Sequence, residues 1–245
     1  MTDLVFDRTE VYDPKTQRIW CFKHVDDIVE GLKLDLGNMV STYPFEVNGK
    51  MWRSSEELYL SGEFSYDTAE HLAIQHELRS AKSPYAAKRF IKGKHKKEVR
   101  ADFDSFRTQW MLWVVWQKCK GNEDFRQKLL SIPKDVILVE ETTTDTGGSA
   151  QIWGCSNREL VKARKEKEAE IKAIFAHLPK KELALRINIE TNAIREVGLF
   201  TGQNNIGKIL MICRQCLIDN AEPKIDLELL ASKAIHILGH RLHFI

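Results

Sequence analysis

Glu56 and Glu57 stand at the start of an expected helix, directly after an expected hairpin, and Glu63 follows two turns later. Seven residues rise about 10.5 Å along an α-helix, so Glu56 and Glu63 share one face. Two carboxylates on one wall can break a glycosidic bond as acid and base, or can accept a ribose hydroxyl. Acidic residues at a helix start also favour the helix dipole, so the spacing equally describes a solvated surface helix. Cys213 and Cys216 form a C-x-x-C pair, but no second pair or histidine stands at zinc-site spacing, and ordinary helix packing is expected. His236, His240 and His243 at i, i+4 and i+7 would share one face of a terminal helix, without a carboxylate to complete a metal set. No metal site is expected there. The basic run Arg89–Arg100 reads as a solvated face that could also touch phosphates.

The elements that must position these groups follow from local signals. Residues 1–50 read as short strands and irregular chain. Pro44 to Trp52 alternates apolar residues around Asn48-Gly49, the pattern of a tight hairpin. Ser54 is placed to cap the helix that carries Glu56, and Ser83-Pro84 opens another. Trp110 to Trp116 is apolar almost all round, which predicts a central buried helix. Val136 to Glu140 is β-branched and reads as a buried strand. Periodicity is lost from Thr142 to Ser149, where Gly147-Gly148 marks a loop. Residues 158–198 are dominated by Lys, Arg and Glu, with Ile171, Ile174, Phe175 and Leu178 at helical spacing. They predict an amphipathic helical insertion within one domain spanning 1–245. Ile206 to Leu217 is again helical and apolar, introduced by Gly202-Gln203-Asn204-Asn205.

Composition narrows the class. Hydrophobic residues make up 43% of the 245 and charged residues 29%, enough apolar mass for a real core, so intrinsic disorder is excluded. The net charge of +2 lacks the basic excess of a general nucleic-acid coat. No apolar run approaches a membrane span, and the polar, acidic start Met1–Arg8 is unlike a secretory signal. Five cysteines without scaffold spacing predict free thiols and a cytoplasmic protein.

The stretch LGNMVSTYPFEVNGKMWRSSEELYL (36–60) resembles the opening motif of the YbiA-like, or NADAR, N-glycosidase family. Further blocks agree in the same order. They are the helix Met111–Lys118 with the Gly121-Asn122 stop, Leu129-Leu130, Val139-Glu140, Asp145 with Trp153-Gly154, and GQNNIGKILMICR (202–214). The resemblance implies an α+β fold, mostly helical with a small sheet. It implies cleavage of an N-glycosidic bond to a ribose phosphate, either a ribosylaminopyrimidine intermediate of riboflavin synthesis or an ADP-ribosylated base. No cofactor is implied, nucleic acid enters only as an ADP-ribosylated substrate, and no membrane is involved. Carried over by motif, Glu56, Glu63 and Asp145 stand in catalytic positions. Trp52, Phe103, Trp153, Asn205, Gly207 and Lys208 stand in substrate-binding positions, the last three at a helix start suited to phosphate.

Three departures from the family pattern bear on mechanism. Where the family has a lysine implicated in a Schiff base with opened ribose, this chain has Glu63, and a carboxylate forms no imine. Phe103 replaces the family's tryptophan in Arg100-Ala101-Asp102-Phe103. The gap between Asp145 and Trp153 is longer, and 158–197 is added. Three routes stay open: direct hydrolysis by the Glu56/Glu63 pair, another lysine entering the site, or an inactive binder of an ADP-ribose-type ligand.

Overall fold

The computed structural model describes residues 4–23, 27–142 and 149–244. Along the chain run β1 (Glu10–Tyr12), β2 (Ile19–Phe22), β3 (Phe45–Val47), β4 (Lys50–Trp52), α1 (Ser55–Glu63), α2 (Ala69–Ser80), α3 (Arg107–Gly121) and α4 (Glu123–Leu130). There follow β5 (Ile137–Thr142), β6 (Cys155–Ser156), α5 (Arg158–Ile174), α6 (Lys180–Asn192), β7 (Phe200–Gly202) and α7 (Asn205–Asp219). The fold is mixed α+β, and two compact units divide it. The first is Met1–Asp35 with Lys134–Lys208, the second Leu36–Pro133 with Ile209–Ile245. No helix among the described residues is long and apolar enough to cross a membrane.

The first unit is built on a sheet in the order β1-β7-β6-β5-β2. β5 lies parallel to both its neighbours, with Trp20 opposite Leu138 and Cys21 opposite Val139. That position explains its continuous apolar run, since a strand flanked on both sides and covered on its faces has little need of alternation. Tyr12, Val139, Cys155, Leu160 and Phe200 form the buried cluster. The charged segment 158–198 forms two helices rather than one. α5 ends where the Phe175 N–H bonds Ile171 O, and Pro179 precedes α6. Leu160 and Ile171 are buried on α5, whereas Ile174 is exposed and α6 buries nothing. Arg164 ties the pair to the sheet: it grips the buried Glu141 carboxylate at 2.7 and 2.8 Å and donates to Thr191 O.

In the second unit the hairpin β3–β4 turns at Asn48 and Gly49, both at positive φ (52° and 68°), as a two-residue type I′ turn requires. α3 is the central helix, with Trp110, Met111, Leu112, Val114, Val115 and Trp116 buried. Its closest approach is to α1. The Trp110 indole donates to Tyr59 O at 3.1 Å, and a Cβ on Gly62 would meet its Nε1 at 2.2 Å. Cys213 packs inside α7, and the five described cysteines are free thiols. The terminal histidines do not share a helix. His236–Ile237 pairs antiparallel with His240–Arg241 around Leu238 and Gly239 at φ 52° and 80°. The i, i+4, i+7 spacing was compatible with a helix, but Gly239 in its middle is a hairpin signal and the turn prevails.

Candidate active site

Ser54 starts α1 by accepting the Glu57 N–H at 3.2 Å. The Glu57 carboxylate turns back to the Arg53 N–H at 2.8 Å and to its guanidinium at 2.8 and 3.1 Å. Arg53 also donates to Arg79 O and Ala81 O. Glu57 is therefore a capping residue that also anchors α1 to the end of α2. Its neighbour Glu56 is committed differently. The Glu56 N–H bonds Asn38 O, and its buried carboxylate has Lys88 Nζ at 2.9 Å. Two turns on, Glu63 is equally buried and accepts from Lys92 Nζ at 2.6 Å, while its second oxygen has no hydrogen-bond partner among the described residues.

Both lysines come from a π-helical turn, Ala87–Lys92, which continues the short helix Pro84–Ala86 capped by Ser83. Wide turns of this kind recur at functional sites because they re-aim side chains that an α-helix would spread. Here two lysines four residues apart reach two carboxylates seven apart. The carboxylates are 3–4% exposed, the lysine side chains 34–36%. Burial pushes the Glu63 carboxyl above the usual carboxylate range, and Glu56 adds to this, against the opposing pull of Lys92 and Lys88. The Tyr59 phenol between them on α1 is likewise pushed up, by burial first and by Glu63 and Glu56 next. Glu63 is thus a carboxyl biased toward keeping its proton.

Trp52 is fully buried under the Arg79 guanidinium at 4.8 Å. Phe103 is buried edge-on against Tyr59 and Phe106, with ring centroids 5.4 and 5.2 Å away. In the first unit, Trp153 ends the short helix Ser149–Trp153 and is nearly buried. Asn205 and Asp7 clamp each other: the Asn205 amide donates to the Asp7 carboxylate at 2.9 Å and accepts the Asp7 N–H at 3.2 Å. Gly207 lies against β5, where a Cβ would meet Leu138 O at 2.2 Å. Lys208 is fully buried, donating to Val5 O and Arg8 O and pairing with Glu10 at 3.0 Å. Asp145 falls outside the described residues. Among the described residues no three His, Cys, Asp or Glu side chains gather as metal ligands. The residues that sequence reading did not single out are Lys88 and Lys92. Lys92 lay unmarked in the basic run, and Lys88 immediately before it.

One family model matches the chain. The NADAR domain matches residues 33–218, and the chain belongs to the NADAR family. Among solved structures it is similar to the NMR structure of the E. coli protein YbiA. The match has 21% identity and a TM-score of 0.50 over 83% of this chain and 88% of that one, a likeness of fold. No curated protein matches the sequence.

Proposed function

We propose that the chain is an N-glycosidase acting on a ribose-phosphate or ADP-ribose conjugate, either a ribosylaminopyrimidine phosphate or an ADP-ribosylated base. The observation that carries this reading is the pair of buried carboxylates on α1, each met by a lysine ammonium, in a member of the NADAR family. In the reaction the C1′–N bond breaks with its electrons going to nitrogen. Glu63, as the neutral acid, delivers the proton that nitrogen needs to leave. Glu56, as carboxylate, balances the positive charge growing on the ribose ring and takes the proton from the water that adds to C1′. By family motif, Asp145 keeps its catalytic position, and Trp153 and Phe103 their substrate-binding positions. Trp52 belongs to the wall behind α1.

The test is turnover of ribosylaminopyrimidine phosphates and ADP-ribosylated guanosine, read as released base. Wild type is expected to release base, and Glu56→Ala to lose nearly all activity. No turnover of either substrate between pH 5 and 9 overturns the reading. One observation favours a second: Glu63 replaces the family's lysine, and both carboxylates already hold lysine partners. A binder of ADP-ribose would show calorimetric binding without product.

A further inference from the structure

We infer that Lys88 and Lys92 form an anion subsite for the substrate's phosphates, exchanging their carboxylate partners for phosphate oxygens when substrate binds. This rests on α1 as the active site and adds the residues that select a phosphorylated ligand. The asymmetry of the two ion pairs supports it. Glu56 and Glu63 are fixed in the interior on α1, while each lysine brings a third of its side chain to solvent on a flexible stem. The lysine side chains reach solvent, and the carboxylates do not. Charge points the same way. Without the lysines, a ribose phosphate or diphosphate approaching the α1 carboxylates would meet only like charge. Ammonium groups between the two sets of anions turn that repulsion into attraction. Among the neighbouring basic side chains, Lys94 and His95 pair with Glu77, Arg100 pairs with Asp102, and Arg89 lies over Tyr85 and Phe90. The exchange has a chemical consequence. A carboxylate relieved of its lysine in a buried setting holds a proton more firmly, so phosphate binding would prime Glu63 as the acid.

Calorimetric titration of the full chain with inorganic pyrophosphate is the first test. Wild type is expected to bind, more weakly as salt rises. Lys88→Met with Lys92→Met should lower affinity at least tenfold, and the paired Lys→Arg replacements should restore most of it. In turnover, KM for the phosphorylated glycoside should rise at least tenfold in the Met variant, and less than twofold for the same glycoside without phosphate. If the double variant fails to fold, Lys88→Gln and Lys92→Gln singly make the same comparison, each with a severalfold loss. No pyrophosphate binding by wild type, or equal binding by the variants, overturns the subsite even if base is released. Pyrophosphate binding that depends on the lysines, in a chain that turns over no glycoside, keeps the subsite and overturns the glycosidase reading instead.

Discussion

Helix α1 and the start of α7 each place lysine against glutamate, and they do so in opposite ways. On α1 the glutamates are interior and the lysines half-exposed, reaching in from a π-helical turn. At the start of α7 the lysine is interior: Lys208 is fully buried among Val5 O, Arg8 O and the partly exposed Glu10. A buried ammonium held by backbone carbonyls has no cheaper partner to move to, so the second arrangement is a structural fastening. A buried carboxylate with a mobile cation can change both partner and protonation state, and so the first suits chemistry. Residue type alone does not separate these cases.

The largest effect expected from this contrast is at Lys208. Lys208→Met leaves two carbonyls and Glu10 without their cation and should lower stability by about 3–5 kcal/mol, read from the urea midpoint. Lys92→Met leaves the buried Glu63 without its cation, but that carboxylate can take up a proton, and the cost should be smaller, about 1–2 kcal/mol. Equal losses at the two positions would erase the distinction.

Next in size is the rate effect at Glu63. Glu63→Gln removes the proton and should lower turnover roughly a hundredfold, as losing a general acid does. The pH dependence has a definite sign. Glu63 is raised, so its protonated form is complete below the ordinary carboxylate range and is lost as pH rises through its elevated value. Wild-type activity through this acid therefore falls on the alkaline side, and so does the stability that burial gives the neutral form. Glu63→Gln should flatten both limbs. An unchanged rate in Glu63→Gln would leave Glu63 as a structural partner of Lys92.

What the sequence made legible was local. Asn48-Gly49 specified its hairpin, Ser54 and Ser83 their helix starts, and the Trp110–Trp116 run its burial, because each signal acts within a few residues. Glu56 and Glu63 were found by helical spacing, which is also local. Their partners were not, since Lys88 and Lys92 lie 32 and 29 positions away and reach α1 only through a widened turn. The terminal histidines show the opposite failure: a sound periodicity was overruled by one glycine. The break of 158–198 into two helices follows the same logic, with Pro179 the overlooked stop. The pairing of β1 with β7 had no local signal at all, because strands nearly two hundred residues apart find each other through the sheet they complete.

The smallest expected effect tests whether the start of α7 is only a fastening. Asp7 sits at φ 57°, a left-handed conformation uncommon for a residue with a Cβ, while its side chain and N–H both engage Asn205. Asp7→Ala loses the carboxylate and keeps the backbone strain. Asp7→Gly loses the carboxylate and relieves the strain. Removing one cap-like hydrogen bond costs about 1 kcal/mol, and an L-residue in this conformation about 1 kcal/mol more than glycine. Asp7→Ala should therefore be less stable than wild type by about 1 kcal/mol, and Asp7→Gly should lie close to wild type. The same two proteins also bear on phosphate. With Lys208 still held by Val5 and Arg8, neither substitution should raise pyrophosphate affinity more than twofold. A tenfold gain in Asp7→Gly would mean that the aspartate occupies an anion position at Asn205. The substrate role that the family motif gives Asn205 and Lys208 would then stand beside that of Lys88 and Lys92, and the contrast between the two lysine sites would be one of occupancy rather than of kind.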